Sequence, residues 1–237
     1  MSASSLNAVR EPVWETPVSG VIAAGTEMPR SGDHAANGPG RERGKSLDAL
    51  VPVTILFGRG AETGEMSRVD VWRTRAERPE DIRRIHAVNA AAFPTELEAD
   101  LVDALRQDPT AWIDGLSTVT LDSSGSIVGY ALLTRCTVGG QPALALGPCA
   151  VAPEAQRSGA GSAAIRAGLE QARRMGENLV VVLGHAEYYP RFGFEPASRL
   201  GITAPFEAPD QNFLALALQP DEATPRGEIA YAEAFGV

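Results

Sequence analysis

Two glycines spaced two apart, in the run Gln156-Arg157-Ser158-Gly159-Ala160-Gly161, stand just where a helical pattern begins. Glycine lets several backbone N–H groups converge at a helix N-terminus, where the first turn has no intrahelical partner for its donors and the dipole favours negative charge. That is a site for phosphate oxygens. The other side chains able to do chemistry flank it: Cys149 upstream, and downstream His185 followed by Tyr188-Tyr189-Pro190-Arg191-Phe192-Gly193-Phe194. Each also has an ordinary structural role. A tyrosine can be a packed aromatic with its hydroxyl satisfied. His185 can be a capping or hydrogen-bonded core histidine. Cys149 reads as a small buried filler, because nothing near it in sequence would lower its pKa.

A β-loop-α-β unit must carry these residues. Residues 144–151 read as a buried strand interrupted by Gly147-Pro148, where the missing proline N–H breaks a sheet ladder and marks an edge or a bulge. A bulge there leaves backbone groups unpaired. The helix after the glycines turns Ala164, Ile165, Gly168, Leu169, Ala172 and Met175 to one face, holds Arg166, Glu170, Arg173 and Arg174 outward, and stops at Gly176. Residues 179–183 form an apolar, β-branched run too short for a helix, hence a buried strand parallel to the first.

Upstream, Arg78-Pro79-Glu80-Asp81 opens a helix with Ile82, Ile85, Val88, Asn89 and Ala92 as its buried stripe, through Phe93. A second helix is expected over 97–107, with Leu97, Leu101, Ala104 and Leu105 inward, Thr95 and Glu98 forming a capping box and Asp108-Pro109 as the stop. A meander follows over 117–122, 127–138 and the bulged strand, turning at Ser123-Ser124-Gly125 and Gly139-Gly140. Past Phe194, Ile202 and Phe206 lie in an irregular segment, 213–218 alternates like a last core strand, and the tail Gly227-Glu228-Ile229-Ala230-Tyr231 has the aromatic ending of a segment that docks.

With Gln156-x-x-Gly159-x-Gly161 after a bulged strand, and Tyr189 four residues before Gly193-Phe194, the chain resembles the GNAT superfamily of N-acetyltransferases. The order of elements agrees. The run Gly147-Pro148-Cys149-Ala150-Val151-Ala152-Pro153, together with Leu183-Gly184-His185 and the Tyr188 to Phe194 segment, is similar to the YhbS-like branch, as is the tail from Gly227 through Tyr231 to Ala234-Phe235. The resemblance implies an α/β fold (an α+β mixed sheet): one domain whose central sheet is splayed and flanked by helices.

It also implies acetyl-CoA as co-substrate and no metal. Carried over residue by residue, Cys149, Ala150 and Val151 hold the pantetheine arm through main-chain groups, and Gln156, Arg157, Ser158, Gly159, Ala160, Gly161 and Ser162 hold the pyrophosphate. Tyr189 occupies the general-acid position, and a backbone N–H around Cys149 contacts the oxyanion. Family members often place a glutamate base on the bulged strand, whereas this chain has Leu144, Leu146 and Cys149 there. His185 as a proton relay, or Glu96 and Glu98 as bases or ammonium binders, are the alternatives. The expected reaction is acetyl transfer to a primary amine, on a small molecule or a protein, by direct attack through a tetrahedral intermediate. The missing strand glutamate keeps a second reading open, a catalytically weak acetyl-CoA-binding sensor or regulatory domain. Either a monomer or a homodimer is compatible. A dinucleotide fingerprint formally fits Gly159-x-Gly161-x-x-Ala164 but fails on context: the glycines come eight residues after Val151, and the next strand ends without the ribose-binding acid.

The whole-chain balance narrows the classes. A net charge of −9 without clustered basic residues disfavours a nucleic-acid partner. The two cysteines, Cys136 and Cys149, lie far apart with no metal-ligand spacing. No apolar run reaches membrane-spanning length and the start lacks a secretory pattern, so no membrane partner and a cytoplasmic location are expected. Residues 1–65 carry Gly, Pro and Ser in excess with no sustained period beyond a stray apolar run at 50–57, which reads as a disordered extension. Met66 is then the expected true start, leaving residues 66–237 as the domain.

Overall fold

The computed structural model describes residues 72–237. The expectations for 1–65, for the apolar run at 50–57 and for Met66 as start lie outside the described residues.

Period-two alternation builds the sheet. β1 (Arg73–Ala76), β2 (Ser117–Leu121), β3 (Ile127–Val138) and β4 (Gln141–Val151) form an antiparallel meander, and β5 (Leu179–Leu183) then lies parallel to β4. Beyond β5 come β8 (Phe213–Ala217) and β6 (Glu195–Pro196), both antiparallel to their neighbours. The segment expected to be irregular contains a two-residue strand, β7 (Ile202–Thr203), and the tail docks as β9 (Gly227–Ala230), parallel to β7 and antiparallel to the end of β3.

Helices cover the two faces. α1 (Ile82–Ala92) and α2 (Leu97–Gln107) pack Ile85, Val88, Leu101, Val102 and Leu105 on one face, against Tyr130 and Leu132 of β3. On the other face α3 (Ala160–Arg174) packs Ala164, Ile165, Leu169 and Ala172 against Ala131 and Leu133. A Cβ at Gly168 would lie 3.4 Å from Leu133, so this helix approaches the sheet closely.

Three details depart from expectation. The Thr95–Glu98 capping box does not form: Glu96 is the cap residue and no side chain caps the first turn. The buried stripe of α2 is centred on Val102 with Ala99 and Leu105, which rotates Leu97 (49% exposed) and Ala104 outward. Met175 sits at the C-cap of α3, beyond the last packed turn, and is exposed where Gly176 (φ +82°) redirects the chain.

The feature that positions the site is in β4. Leu133 pairs with Leu146 and Ala131 with Cys149, so two steps on β3 face three on β4. The extra residue at Gly147-Pro148, a cis peptide, reverses which face each later side chain takes. Leu144 and Leu146 pack with α3, but Ala150 and Ala152 pack with α1 and α2. Pairing to β5 covers only Leu144↔Val180 and Ala145↔Val181. Past Ala145 the two parallel strands diverge, while β5 stays paired with β8 along its whole length.

Candidate functional site

A cleft of about 1180 Å³ occupies the opening between β4 and β5. Nine of the ten cofactor-binding residues expected from sequence line it: Cys149, Val151 and Gln156 to Ser162; Ala150, between Cys149 and Val151, is buried toward α1 and α2. His185 and Tyr189 line it too. The geometry thus brings the sequence-predicted residues together from β4, the loop before α3 and the segment after β5.

At one end the loop cradles the start of α3. Gly159 caps the helix in the left-handed region (φ +96°), and the first backbone bond runs from the Ala163 N–H to the Gly159 carbonyl at 2.9 Å. The N–H groups of Gly161 and Ser162 therefore precede the helical ladder. Arg157 also takes positive φ (61°), which costs a non-glycine residue and tightens the loop. The Trp72 indole donates to the Ser158 carbonyl (3.1 Å) and the Thr120 hydroxyl to the Ala160 carbonyl (3.0 Å), fixing the loop to the segment before β1 and to β2. A Cβ on Gly161 would come within 2.9 Å of the Val151 side chain, so any larger residue must displace Val151.

In the middle stand the aromatic residues of the 3-10 turn Tyr189–Phe192. Tyr189 is buried, its ring pressed on Gly184, where a Cβ would meet it at 2.1 Å. Its hydroxyl lies beside the Cys149 thiol, and each group shifts the other's titration. Burial, reinforced by Cys149 and Tyr188, pushes the phenol well above its ordinary pKa, so it keeps its proton. Burial likewise pushes the Cys149 thiol up to about 12, against a lowering by the Tyr189 hydrogen bond. Asn212 holds the end of β5, donating to the Gly184 carbonyl at 2.9 Å.

The Tyr188 hydroxyl lies 3.2 Å from Ser162 Oγ at the mouth of α3 and 3.5 Å from the Cβ position of Gly161, with Arg191 stacked 4.6 Å over its ring. Periodicity has no signal for this contact, which closes across 26 residues. Phe93, Leu97, Glu98, Leu101, Tyr231 and Phe235 form the far wall. Glu98 was one of two acidic alternatives; the structure puts it in the cleft, whereas Glu96 is an exposed cap residue. Among the described residues no helix is long and apolar enough to cross a membrane, and no group of three or more His, Cys, Asp and Glu could hold a metal ion.

Comparison with known proteins agrees with this geometry. The family model described as "Acetyltransferase (GNAT) family" matches residues 80–194. The uncharacterized N-acetyltransferase YjhQ of Escherichia coli is 41% identical over 150 residues, covering 61% of this chain and 82% of YjhQ. YhbS of Escherichia coli, crystallised in complex with CoA, superposes with a TM-score of 0.65 at 27% identity, over 75% of this chain and 97% of that one. A GNAT family acetyltransferase from Brucella melitensis, solved with acetyl-CoA, gives a TM-score of 0.56 at 33% identity, over 69% and 97%. The bulged β4, the divergence from β5 and the glycine-capped α3 sit inside the matched span, and with identity of this extent the chain belongs to the GNAT family of acetyltransferases.

Proposed function

We propose that the chain transfers the acetyl group of acetyl-CoA to a primary amine by direct attack, and that residues 66–237 are the catalytic domain. One observation carries this reading. β4 leaves β5 after Ala145 immediately beside a helix whose N-terminal turn is capped by left-handed Gly159, so unpaired strand backbone and an anion cradle share one cleft. The CoA and acetyl-CoA found in the two related structures fit such a pair of features.

Cys149, Ala150 and Val151 would pair their main-chain groups with the amide-rich pantetheine arm. Gln156 to Gly161 and Ser162 would hold the pyrophosphate, with the unladdered N–H groups of Gly161 and Ser162 as donors. In the reaction the amine nitrogen bonds to the thioester carbon, the resulting oxyanion takes a backbone donor at the bulge, and the C–S bond breaks. Tyr189 gives the departing sulfur its proton. Its O–H sits beside the Cys149 sulfur at the bulge, and the CoA thiolate is the stronger acceptor of the two. The proton lost by the amine leaves through His185 and water, and a proton from the same water restores Tyr189 once the thiol departs.

Calorimetric titration of acetyl-CoA and CoA into the full chain, followed by detection of thiol released on adding amines, tests this. Micromolar binding with amine-dependent release is the expected result. Binding without release would favour a sensor or regulatory role. A folded protein that binds neither would overturn the cofactor assignment.

A further inference from the structure

We propose that the acceptor is a small monocationic amine with an apolar body, its ammonium group held by Glu98 and its body by Phe93, Leu97, Leu101, Tyr231 and Phe235. This rests on the acyl-transfer reading and specifies its substrate class.

The far wall of the cleft comes from the α1–α2 junction and from the docked tail. Phe93 ends α1, Leu97 and Leu101 belong to α2, and the tail lays Phe235 into the same cluster as Leu101, with Tyr231 packed against it. Tyr231 is in turn held between Phe235 (centroids 5.3 Å) and Phe206, on which it stacks at 6.2 Å. Leu97 is one of three large apolar side chains left exposed among the described residues, and it lines the cleft. An exposed leucine at the rim of an apolar hollow is a surface for an apolar ligand.

Glu98 projects into this wall, and its Oε2 is buried without a hydrogen-bond partner. A carboxylate oxygen removed from water and left unmatched calls for a donor from the ligand. The other charged residues lining the cleft, Arg157, Glu187 and Arg191, belong to the loop before α3 and the segment after β5. Glu98 is therefore the charged group supplied by the acceptor wall among the described residues. A single carboxylate in an aromatic and aliphatic hollow selects one positive charge and rejects a second polar group such as an amino acid's own carboxylate, which would be buried beside Glu98. A peptide would likewise bury backbone N–H and C=O groups for which this wall offers few partners.

The test uses the full chain saturated with CoA, titrated calorimetrically with 2-phenylethylamine, 2-phenylethanol, phenylalanine and spermidine. 2-Phenylethylamine is expected to bind about tenfold or more tighter than the other three. Glu98→Gln should weaken it by about tenfold or more while CoA affinity stays within about twofold. Leu97→Lys, at an exposed position where folding is not at stake, should also weaken the amine by repelling its charge. Equal binding of 2-phenylethylamine to the native and Glu98→Gln proteins would overturn the proposal, as would tighter binding of phenylalanine or spermidine. If CoA binds and 2-phenylethylamine does not, the acceptor class falls while acyl transfer stands. If CoA itself does not bind, the acyl-transfer reading falls and takes the acceptor class with it.

Discussion

A phenol of ordinary pKa near 10 is already protonated at neutral pH; burial at Tyr189 raises it further, which keeps the O–H in place for the departing sulfur in the proposed mechanism but makes it a weaker acid, so the proton passes only as the C–S bond breaks. Tyr189→Phe keeps the ring packed on Gly184 and removes the O–H, so kcat should fall by about 10²–10⁴-fold with acetyl-CoA affinity nearly unchanged. An equal rate in the variant would remove Tyr189 from the mechanism. The sign of the shift also makes a pH statement: a raised acid stays protonated to higher pH, so the alkaline limb of kcat should lie above pH 10 if Tyr189 sets it. The two thiols give an independent check of the same burial. Cys136 and Cys149 are both pushed up to about 12, so native protein at pH 8 should resist thiol labelling that proceeds readily once the chain is unfolded. Rapid labelling of Cys149 in the folded state would mean that the cleft is open at Tyr189. At this scale the glycines and Tyr189 were legible because their spacing is local. Tyr188 and Glu98 take their places from tertiary contacts, through Ser162 and through the docked tail, which spacing does not encode.

The elements that aim these residues were read well where period and length agree. β3 occupies 127–138, α2 97–107 and β5 179–183, as alternation, helical spacing and a short β-branched run required. Gly147-Pro148 announced the bulge, but the reversal of faces it imposes on Cys149, Ala150 and Val151 depends on the register with β3 and so appears only in the sheet. The phase of α2 was misjudged for a similar reason: Leu97 is apolar because it lines a cleft, not because it faces the core. The α3 N-terminus yields a prediction of its own. Gly161→Ala puts a methyl 2.9 Å from the Val151 side chain in the cradle and should weaken acetyl-CoA by about tenfold or more, with a smaller effect on thermal stability. Unchanged affinity would place the pyrophosphate elsewhere. The junction of β1 with α1 is held by Asp81, which accepts from both guanidinium nitrogens of Arg75 and, at 2.8 Å, from the Arg78 N–H. Burial works to raise this carboxyl, but the Arg75 and Arg78 hydrogen bonds and charges outweigh it and hold the pKa below its usual value. A depressed carboxylate contributes stability that is present above its unfolded pKa near 3.9 and is lost as pH falls through the lower folded value. Asp81→Asn should therefore cost about 1.5–3 kcal/mol at pH 7 and progressively less below pH 4, as measured by denaturant unfolding.

At the scale of the whole molecule, the tail closes the structure by tying the sheet to the far wall of the cleft. β9 pairs Ile229 with Val138 and Ala230 with Thr137, then delivers Tyr231 and Phe235 to the cleft. Its register depends on Gly139, which has positive φ (54°), donates its N–H to the Glu228 carbonyl at 2.9 Å, and would bring a Cβ within 2.0 Å of the Arg226 carbonyl oxygen. Gly139→Ala must therefore displace the entry to β9, at a cost of about 1–3 kcal/mol from strain and overlap. For a domain of this size that lowers Tm by roughly 2–12 °C. The direction of the functional effects follows from what the tail covers. Cys136 shares a buried cluster with Ile229, and Tyr231 packs against it, so loosening β9 should return that thiol toward its ordinary pKa and make it label faster than Cys149. The proposed acceptor wall should lose affinity for amines, raising KM, while acetyl-CoA binding holds because its proposed cradle is anchored through Trp72, in the segment before β1, and Thr120 on β2. A lowered Tm with Cys136 still protected would show that β9 stays docked and that the cost is confined to the Gly139-Gly140 turn. Selective exposure of Cys136 together with a raised amine KM would make the tail the element through which the stability of the sheet and the shape of the acceptor site are coupled.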